Sequence, residues 1–391
     1  MKIIFLKRSV TYFLAASIFT YGALVQAQEQ VKIGLVAALS GDSALSGESI
    51  SRGMTIAIDE INAKGGVLGG KKLVLVKRDD ESNPAKGQLA ARELIEKEKV
   101  AVVFGGIDTP VSMSLINVMT ELKTPYMGVW AAGTGITNNN KTPNYMFRVS
   151  AVDDRVDDGM LKYAQTAFKS QRPGSMLVNN PWGESNMKGL EKAAVALKIT
   201  MAGQEKYNAG DTDTTPQLTR LKNAGADSII LVGNASVAAQ VMKSLERMNW
   251  NVPVVSHWGI SGGRFDELAG PRYKDVIFVQ TYTFFGKQGP VGDKVIAELK
   301  KRFPEIKGPA DVVAPVGTAN SYDAMMLTAL AINKAGSTDG DKIREAFYEI
   351  PEYKGLIKNY KKPFSPGDHD ALEDGDYIWV RFEGKNAIPV K

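Results

Sequence analysis

The chain has 391 residues, of which 44% are hydrophobic, and this composition is ordinary for a globular protein with a sizeable core. It contains no cysteine, which excludes structural disulfides, cysteine-ligated zinc, thiol catalysis and a lipid-modified cysteine at a cleavage site. Its 48 Lys and Arg residues and 43 Asp and Glu residues give a net charge of +5, but the basic residues lack the clustering typical of nucleic-acid binding.

The first segment of the chain predicts export from the cytoplasm. Three basic residues near the start precede an apolar stretch at residues 10–25, and Val25-Gln26-Ala27 places small residues at the −3 and −1 positions of a cleavage site. We therefore expect a signal peptide over residues 1–27. No later apolar run approaches the roughly 18–20 residues that cross a bilayer, so we expect the remaining chain to be free in the periplasm, without a membrane span or lipid anchor.

Strand and helix patterns alternate along most of the chain, beginning with a strand at residues 31–39 and a helix at 48–66 that places Ile50, Met54 and Ile58 on one face. This first series continues with strands at 72–80, 100–106 and 124–130 and helices at 84–99 and 110–123. A second series has strands at 175–180, 199–208, 227–234 and 252–258 and helices at 156–168, 184–197, 216–224 and 235–248. Helices at 291–303, 313–335 and 341–350 and a strand at 377–382 follow. Two such series predict two α/β lobes with parallel sheets and helices on both faces.

The loops after the predicted strands are the first places to look for a site, because ligands of open α/β sheets bind outside the carboxyl ends of the strands. Three of the five tryptophans, Trp130, Trp182 and Trp258, fall in such loops. Tryptophan is also common in cores, so each of them has packing as an alternative explanation. Their shared placement at strand ends nevertheless indicates one site with several indoles.

Several long motifs resemble one known family. They are the opening VKIGLVAALSG, the passage INAKGGVLGGKKLVLVKRDDESNP, the short FRVS at residues 147–150 and QLTRLKNAGADSIILVG. These motifs are similar to those of type I periplasmic binding proteins, in particular the leucine/isoleucine/valine-binding family that delivers solutes to ABC importers. The resemblance covers residues 31–382. It implies an α/β fold of two Rossmann-like lobes with parallel sheets, joined by three crossovers and closing on a ligand by hinge motion.

The resemblance also implies how the chain is divided and what it works with. We expect an N-terminal lobe of residues 28–148 and 281–357 and a C-terminal lobe of residues 149–280 and 358–391. The expected partners are a small-molecule ligand and the membrane permease of an ABC importer, with a chemosensor as an alternative to the permease. We expect a monomer that binds no nucleic acid, uses no metal or organic cofactor and is not an enzyme.

The segment Asp108-Thr109-Pro110 is the first predicted ligand contact. We expect Thr109 as the N-cap of a helix and Pro110 as its first residue, and the free N–H groups and dipole of a helix start favour an anion. The alternative is a plain helix cap without a ligand. The resemblance implies that the Thr109 hydroxyl and these amides hold a carboxylate. Asp108 departs from the family pattern and would repel an acid or attract an amine.

The other predicted contacts come from the remaining strand-end loops. By the resemblance, Trp130, Ala131 and Ala132 form the second carboxylate contact, with an alanine where the family often has a hydroxyl. Trp258 replaces the acid that pairs with an α-ammonium group in many family members, and Trp182 occupies the position of an aromatic lid residue. The full predicted ligand-binding set is Ser46, Asp108, Thr109, Trp130, Ala131, Ala132, Trp182, Asn234 and Trp258.

These departures predict a ligand other than an ordinary aliphatic amino acid. The first hypothesis is a small solute of the amino-acid or carboxylate type, or an amide, with a planar or aromatic part. An aromatic ring between two indoles would bury apolar surface worth roughly 2–3 kcal/mol. The alternative is a cationic amine held by indole faces, at about 0.5–2 kcal/mol for each cation–π contact, with Asp108 as the counter-charge.

One motif supports an enzyme instead. Gly259-Ile260-Ser261-Gly262-Gly263 matches the G-x-S-x-G pattern of a nucleophile elbow after a predicted strand, and His369 follows later in the chain. A pattern with three fixed positions arises easily in a chain with 38 glycines, and His369 lies in the polar stretch SPGDHDALEDGD, which predicts a surface loop. A secreted serine hydrolase using Ser261 is therefore the remaining alternative.

Overall fold

A computed structural model describes residues 29–390, so the predicted signal peptide at residues 1–27 lies outside the described residues. The first lobe is built around a five-stranded sheet and opens with β1 (Gln30–Ala37), α1 (Ala44–Ala63), β2 (Lys72–Asp79), α2 (Pro84–Glu96), β3 (Val102–Gly105), α3 (Thr109–Glu121), β4 (Tyr126–Gly128) and β5 (Met146–Arg148). Its strands are parallel and lie in the order β2-β1-β3-β4-β5. β1 is buried along most of its length, because helices cover both faces of a parallel sheet.

The second lobe is built around a seven-stranded sheet. It begins with α4 (Asp153–Ala167), β6 (Pro173–Val178), α5 (Pro181–Leu197), β7 (Gly203–Tyr207), α6 (Thr215–Asn223), β8 (Ser228–Val232), α7 (Ala235–Arg247), β9 (Val254–Ser256), α8 (Phe265–Leu268) and β10 (Ile277–Gln280). The chain continues through α9 (Pro290–Arg302), α10 (Pro315–Ala335), α11 (Gly340–Phe347), β11 (Tyr353–Lys354), β12 (Asn359–Tyr360), β13 (Ile378–Glu383) and β14 (Asn386–Pro389). Strands β6 to β10 pair in parallel, as the alternating pattern predicts.

One edge of the second sheet is antiparallel. The strand order is β14-β13-β10-β9-β8-β6-β7, with β13 antiparallel to both β10 and β14. Gly384 lies in the turn between β13 and β14 with φ of +59°, a left-handed conformation that glycine adopts without strain. The sequence pattern predicts β13 but not β14, because an edge strand of four residues is too short to show a hydrophobic period.

The helices that follow β10 pack on the first lobe. α10 lies against α1, where Ser49 Oγ donates to Ala314 O at 2.7 Å and Ser321 Oγ donates to Ile50 O at 2.8 Å. Small side chains at this contact let the two helices approach closely. The chain therefore crosses between the lobes three times: between β5 and α4, between β10 and α9, and between β12 and β13.

A buried ion pair lies at the first crossover. Arg148, the last residue of β5, is fully buried, and its Nε donates to Asp370 Oδ1 at 2.6 Å. Its Nη1 donates to the carbonyl oxygens of Ala131 and Gly133, at 3.2 and 3.0 Å, in the loop after β4. A single guanidinium thus joins the first crossover to the third and to the loop after β4.

His369 is buried, so the prediction that it lies in a surface loop is wrong. Residues 369–371 run beside β5 and bond to its last residue. The His369 ring stacks on Phe147 with centroids 4.2 Å apart, its Nδ1 lies 2.8 Å from Met146 O, and its Nε2 lies 2.9 Å from Tyr348 OH. Burial lowers the pKa of His369. A polar local composition does not reveal this burial, because the contacts come from a strand more than two hundred residues earlier.

Replacing Asp370 with alanine is expected to destabilise the fold. The change leaves the Arg148 guanidinium buried without its anion, and breaking one side of a buried ion pair costs about 3–5 kcal/mol. Asp59→Ala is the matched control, because Asp59 pairs with Arg302 and has 46% of its side chain exposed, and such surface pairs contribute at most about 1 kcal/mol. Urea denaturation followed by circular dichroism measures both variants. Equal midpoints would contradict the role assigned to Asp370.

Candidate functional site

Three indoles meet where the two lobes contact each other. Trp130 follows β4 in the first lobe, Trp182 is the second residue of α5, and Trp258 follows β9 in the second lobe. The Trp130 and Trp258 rings have centroids 5.8 Å apart. Trp182 joins them through His257, whose ring lies 5.1 Å from Trp182 and 5.8 Å from Trp258. All three tryptophans are buried, so this indole cluster is enclosed at the meeting of the lobes.

Glycine permits the closest approach of the lobes at the indole cluster. A Cβ at Gly262, in the second lobe, would overlap Ser46 Oγ of the first lobe and would lie 3.1 Å from the Trp130 ring. A Cβ at Gly317 would lie 3.1 Å from another atom of the same ring. Ser46 Oγ donates to Gly262 O at 2.9 Å across the cleft. The Trp130 indole is therefore held between two glycines, and Ser46 contacts the opposite lobe.

The start of α3 differs from the prediction by one residue. Asp108, with φ of −99° and ψ of 128°, is the N-cap, Thr109 is the first helical residue and Pro110 is the second. Proline is tolerated there because the N–H groups of the first turn have no partner within the helix. The predicted N-cap role of Thr109 is therefore wrong. Its Oγ1 instead accepts a hydrogen bond from Gly133 N at 3.1 Å, which ties α3 to the loop after β4.

Two carboxylates of the first lobe face the start of a helix in the second lobe. Asp108 Oδ1 accepts from Asn234 Nδ2 at 3.1 Å, and Asp42 Oδ2 accepts from Ser236 Oγ at 2.9 Å. Asn234 is the N-cap of α7, and the positive end of a helix dipole favours nearby anions. Asp108 and Asn234, both in the predicted ligand-binding set, thus contact each other and join the lobes.

The first-lobe side of the cleft is acidic. Asp80 follows β2 and is buried; burial raises the pKa of Asp80 to about 7, a hydrogen bond from Ser82 N opposes this, and the charges of Asp108 and Asp79 add to it. Burial also raises the pKa of Asp108, against hydrogen bonds from Ser82 and Asn234. A ligand carboxylate at the start of α3 would be repelled by these groups unless they are protonated.

Ala131 and Ala132 contribute backbone atoms to the structure of the cleft. Ala131 O accepts from the buried guanidinium described above, and Ala132 O accepts from Asp153 N at 2.9 Å. Ser150 Oγ donates to Trp130 O at 2.7 Å. The loop after β4 is thus bonded through three successive carbonyl groups to β5 and the crossover that follows it.

Two residues at the indole cluster are absent from the predicted set. Asp153, the first residue of α4, is fully buried, and its Oδ1 accepts from Trp182 Nε1 at 3.1 Å and lies 3.1 Å from His257 Nε2. His257 Nδ1 accepts from Trp258 N at 2.9 Å. The sequence signal for Asp153 is its place directly after the first crossover, and that for His257 is its place beside a strand-end tryptophan.

The serine of the G-x-S-x-G pattern lacks the environment of a nucleophile. Ser261 Oγ donates to Trp258 O at 2.7 Å and accepts from Gln280 Nε2 at 2.8 Å. The ring nitrogens of His257 and His369, the two histidines of the chain, face other partners. The serine lies in a 3-10 turn, Trp258–Gly262, instead of a strand-to-helix elbow. This arrangement does not activate the Ser261 hydroxyl.

The described part of the chain has neither a group of metal-ligating side chains nor a membrane-spanning helix. Within residues 29–390, no three His, Cys, Asp or Glu side chains are grouped so that they could hold a metal ion. Across the same residues, no helix combines the length and the apolar character needed to cross a bilayer.

Both the sequence and the fold of this chain are similar to those of known proteins. A family model described as periplasmic binding protein matches residues 30–376. The Leu/Ile/Val-binding protein BraC3 of Rhizobium johnstonii is 25% identical over 341 residues, covering 85% of this chain and 88% of that protein. The crystal structure of a type 1 periplasmic binding protein from Bordetella pertussis has a TM-score of 0.83 and 24% identity, covering 93% of this chain and 100% of the other.

A further solved structure contains a ligand. It is a solute-binding protein of an ABC transporter from Rhodopseudomonas palustris in complex with p-hydroxybenzoic acid, with a TM-score of 0.77 and 21% identity, covering 92% of this chain and 95% of the other. At this identity the likeness shows a common fold of two α/β lobes.

Replacing Asp80 with asparagine is expected to reduce the pH dependence of stability. The pKa of Asp80 is about 7 in the folded chain, against about 3.9 for an unfolded aspartate. The folded protein therefore binds more protons between these values, and its free energy of unfolding falls as the pH rises across this window. Asparagine removes the titrating proton and keeps an acceptor for Ser82 N, which donates to Asp80 at 2.8 Å.

Urea titrations across this pH window measure the effect. The free energy of unfolding of Asp80→Asn should fall less steeply with pH than that of the unaltered protein. The difference in slope should be as much as ~1.4 kcal/mol per pH unit, the value for one proton. Asp374→Asn changes an exposed aspartate and should keep the slope of the unaltered protein. The assignment to Asp80 is wrong if its variant also keeps that slope.

Proposed function

This chain belongs to the family of periplasmic binding proteins, which bind solutes and are not enzymes, and we propose that it is the substrate-binding component of an ABC importer. The observation that carries this proposal is the cluster of Trp130, Trp182 and Trp258 where the lobes meet. Indoles contributed by both lobes form one surface only when the lobes are closed. A small solute held there would bridge the lobes and favour the closed population.

We expect the two lobes to move as two units. One comprises residues 28–148 and 281–357, the other comprises residues 149–280 and 358–391, and they hinge at the crossovers. The segment at residues 1–27 exports the chain to the periplasm, and there the monomer passes its solute to a membrane permease. Two polar contacts across the cleft, from Asn234 to Asp108 and from Ser236 to Asp42, support this closure.

For the ligand, the indole cluster favours a small carboxylate or amide with a planar or aromatic part. The Trp130 and Trp258 rings are already 5.8 Å apart, so we expect a ligand ring to pack against an indole face, where aromatic geometry adds about 0.5–1.5 kcal/mol to the burial of apolar surface. The start of α3 at Thr109 and the loop at Ala131 and Ala132 would face the polar group of the ligand. The Rhodopseudomonas palustris protein in complex with p-hydroxybenzoic acid has the same fold, so this fold accommodates a ligand of the proposed class.

The second candidate is a cationic amine, which the acidic side of the cleft favours. Asp42 and Asp108 both present carboxyl groups at the meeting of the lobes. Each indole face that contacts a cation contributes about 0.5–2 kcal/mol. A positive ligand would also reduce the repulsion among these carboxyl groups. For a cationic amine that carries an aromatic ring, charge and stacking therefore both favour binding.

Three probes distinguish the ligand classes: 4-hydroxybenzoate, the ring-bearing cationic amine tyramine and the aliphatic amino acid L-leucine. We expect 4-hydroxybenzoate to quench tryptophan fluorescence and to raise the melting temperature, since a ligand at 100 times its Kd adds about 2.7 kcal/mol of stability. Asp108→Asn removes a negative charge beside the site, so it should strengthen binding of a carboxylate and weaken binding of an amine. A response to L-leucine alone would contradict both ligand classes.

A matched pair of tryptophan variants controls this panel. Trp258→Ala should weaken binding of 4-hydroxybenzoate about tenfold or more, because it removes one face of the apolar contact. Trp379→Ala removes an indole of β13 that packs beside Tyr163, outside the cluster, and should leave the affinity unchanged. Equal affinities would contradict a site at the indole cluster.

Replacing Gly262 with alanine is expected to hinder closure of the lobes. The new Cβ would overlap Ser46 Oγ and crowd the Trp130 ring in the closed arrangement. With saturating 4-hydroxybenzoate, small-angle X-ray scattering should show a larger radius of gyration for Gly262→Ala than for the unaltered protein. Gly210→Ala is the control, because a Cβ at Gly210 has no atom within 4 Å among the described residues. Superimposable scattering from all three proteins would rule out steric control by Gly262.

A further inference from the structure

Asp153 bonds to segments of both lobes that carry the clustered tryptophans. Its backbone N–H donates to Ala132 O at 2.9 Å, in the first-lobe loop that begins with Trp130. Its Oδ1 accepts from Trp182 Nε1 at 3.1 Å, in the second lobe. As the first residue of α4, Asp153 places its carboxyl group at the end of a helix that favours an anion. One buried residue on a rigid element therefore connects two of the three indole segments.

His257 extends this connection to the third segment. Its Nδ1 accepts from Trp258 N at 2.9 Å, which leaves Nε2 as the nitrogen that faces the carboxyl group, 3.1 Å from Asp153 Oδ1. The imidazole and the carboxyl group are both fully buried. Removing the Asp153 carboxyl group would leave the buried Trp182 Nε1 without its acceptor. The imidazole also meets the Trp182 ring edge-on, at an interplanar angle of 82°.

We propose that Asp153 and His257 are positioning residues, which hold the Trp182 and Trp258 indoles in the orientation that the solute contacts. This inference rests on the proposed function. Because the Trp182 N–H already donates to Asp153, this indole offers its face and not its polar edge to a ligand. The Trp182 face of the site then selects flat apolar groups. The two positioning residues need no contact with the solute.

Nitrogen-15 NMR of the ligand-free protein tests the connection directly, because five tryptophans and two histidines give few indole and imidazole signals. In Asp153→Ala, the Trp182 indole N–H signal should shift and exchange faster with solvent, and the His257 Nε2 signal should shift because the carboxylate 3.1 Å away is removed. His369 is the internal reference. Asp154→Ala removes the neighbouring carboxylate, which pairs with Lys192 at the surface, and should leave these signals in place. Unchanged signals in Asp153→Ala would overturn the proposal.

Affinity for 4-hydroxybenzoate tests the positioning role itself. We expect Asp153→Ala and His257→Leu to weaken binding about tenfold, which corresponds to about 1.4 kcal/mol. His257→Gln keeps a donor towards Asp153 and should recover most of the affinity, a result that a general loss of packing does not produce. If the alanine variant fails to fold, Asp153→Asn keeps an acceptor for Trp182 without the charge and provides the same measurements.

The two experiments separate failure of this inference from failure of the proposed ligand class. Altered NMR signals together with full affinity would overturn the positioning role. If the unaltered protein does not bind 4-hydroxybenzoate, the ligand class proposed above is wrong, and the NMR signals of Asp153→Ala still decide whether the carboxylate holds the two indoles.

Discussion

Trp130 lies between two glycines, one from each lobe, and the closed arrangement depends on the space that these glycines leave. Any side chain at Gly262 would meet Ser46, and any side chain at Gly317 would press on the indole. With that space available, Trp130 comes within contact distance of Trp258, and the polar groups on either side of the cleft reach one another. The packing of a single large ring thus sets the distance between the lobes, because close-packed interiors do not absorb an added carbon atom without rearrangement.

The crossovers that join the lobes are bonded to the same loop that carries this ring. Arg148 reaches the carbonyl groups of Ala131 and Gly133, and Asp153 donates its N–H to Ala132. Hydrogen bonds that involve a charged group are shorter and stronger than neutral ones, so the Arg148 guanidinium fixes this loop to the crossover. Lobe position and the position of Trp130 are therefore coupled through a few buried bonds.

The meeting of the lobes combines two chemical features. Indoles from both lobes provide flat apolar surface, while carboxyl groups of the first lobe make the start of α3 acidic. An exposed helix dipole contributes only about 0.3–1 kcal/mol to anion binding, which is less than the stacking of one aromatic ring. For a bound aromatic carboxylate we therefore expect apolar contact to contribute more than the helix dipole.

The two α/β lobes could be predicted from the amino-acid sequence, because most of the longer strands and helices carry their own hydrophobic pattern. The sequence also placed Trp130, Trp182 and Trp258 at strand ends, since the carboxyl ends of parallel strands share one edge of a sheet. Only the tertiary structure decided the antiparallel β14, the burial of His369 and the N-cap at Asp108. It alone also brought Asp153 to His257, two residues 104 positions apart whose contact requires the packing of α4 against β9. Periodicity reports which side of an element is apolar, whereas contacts between distant polar side chains follow from how whole elements pack, and no local pattern records that.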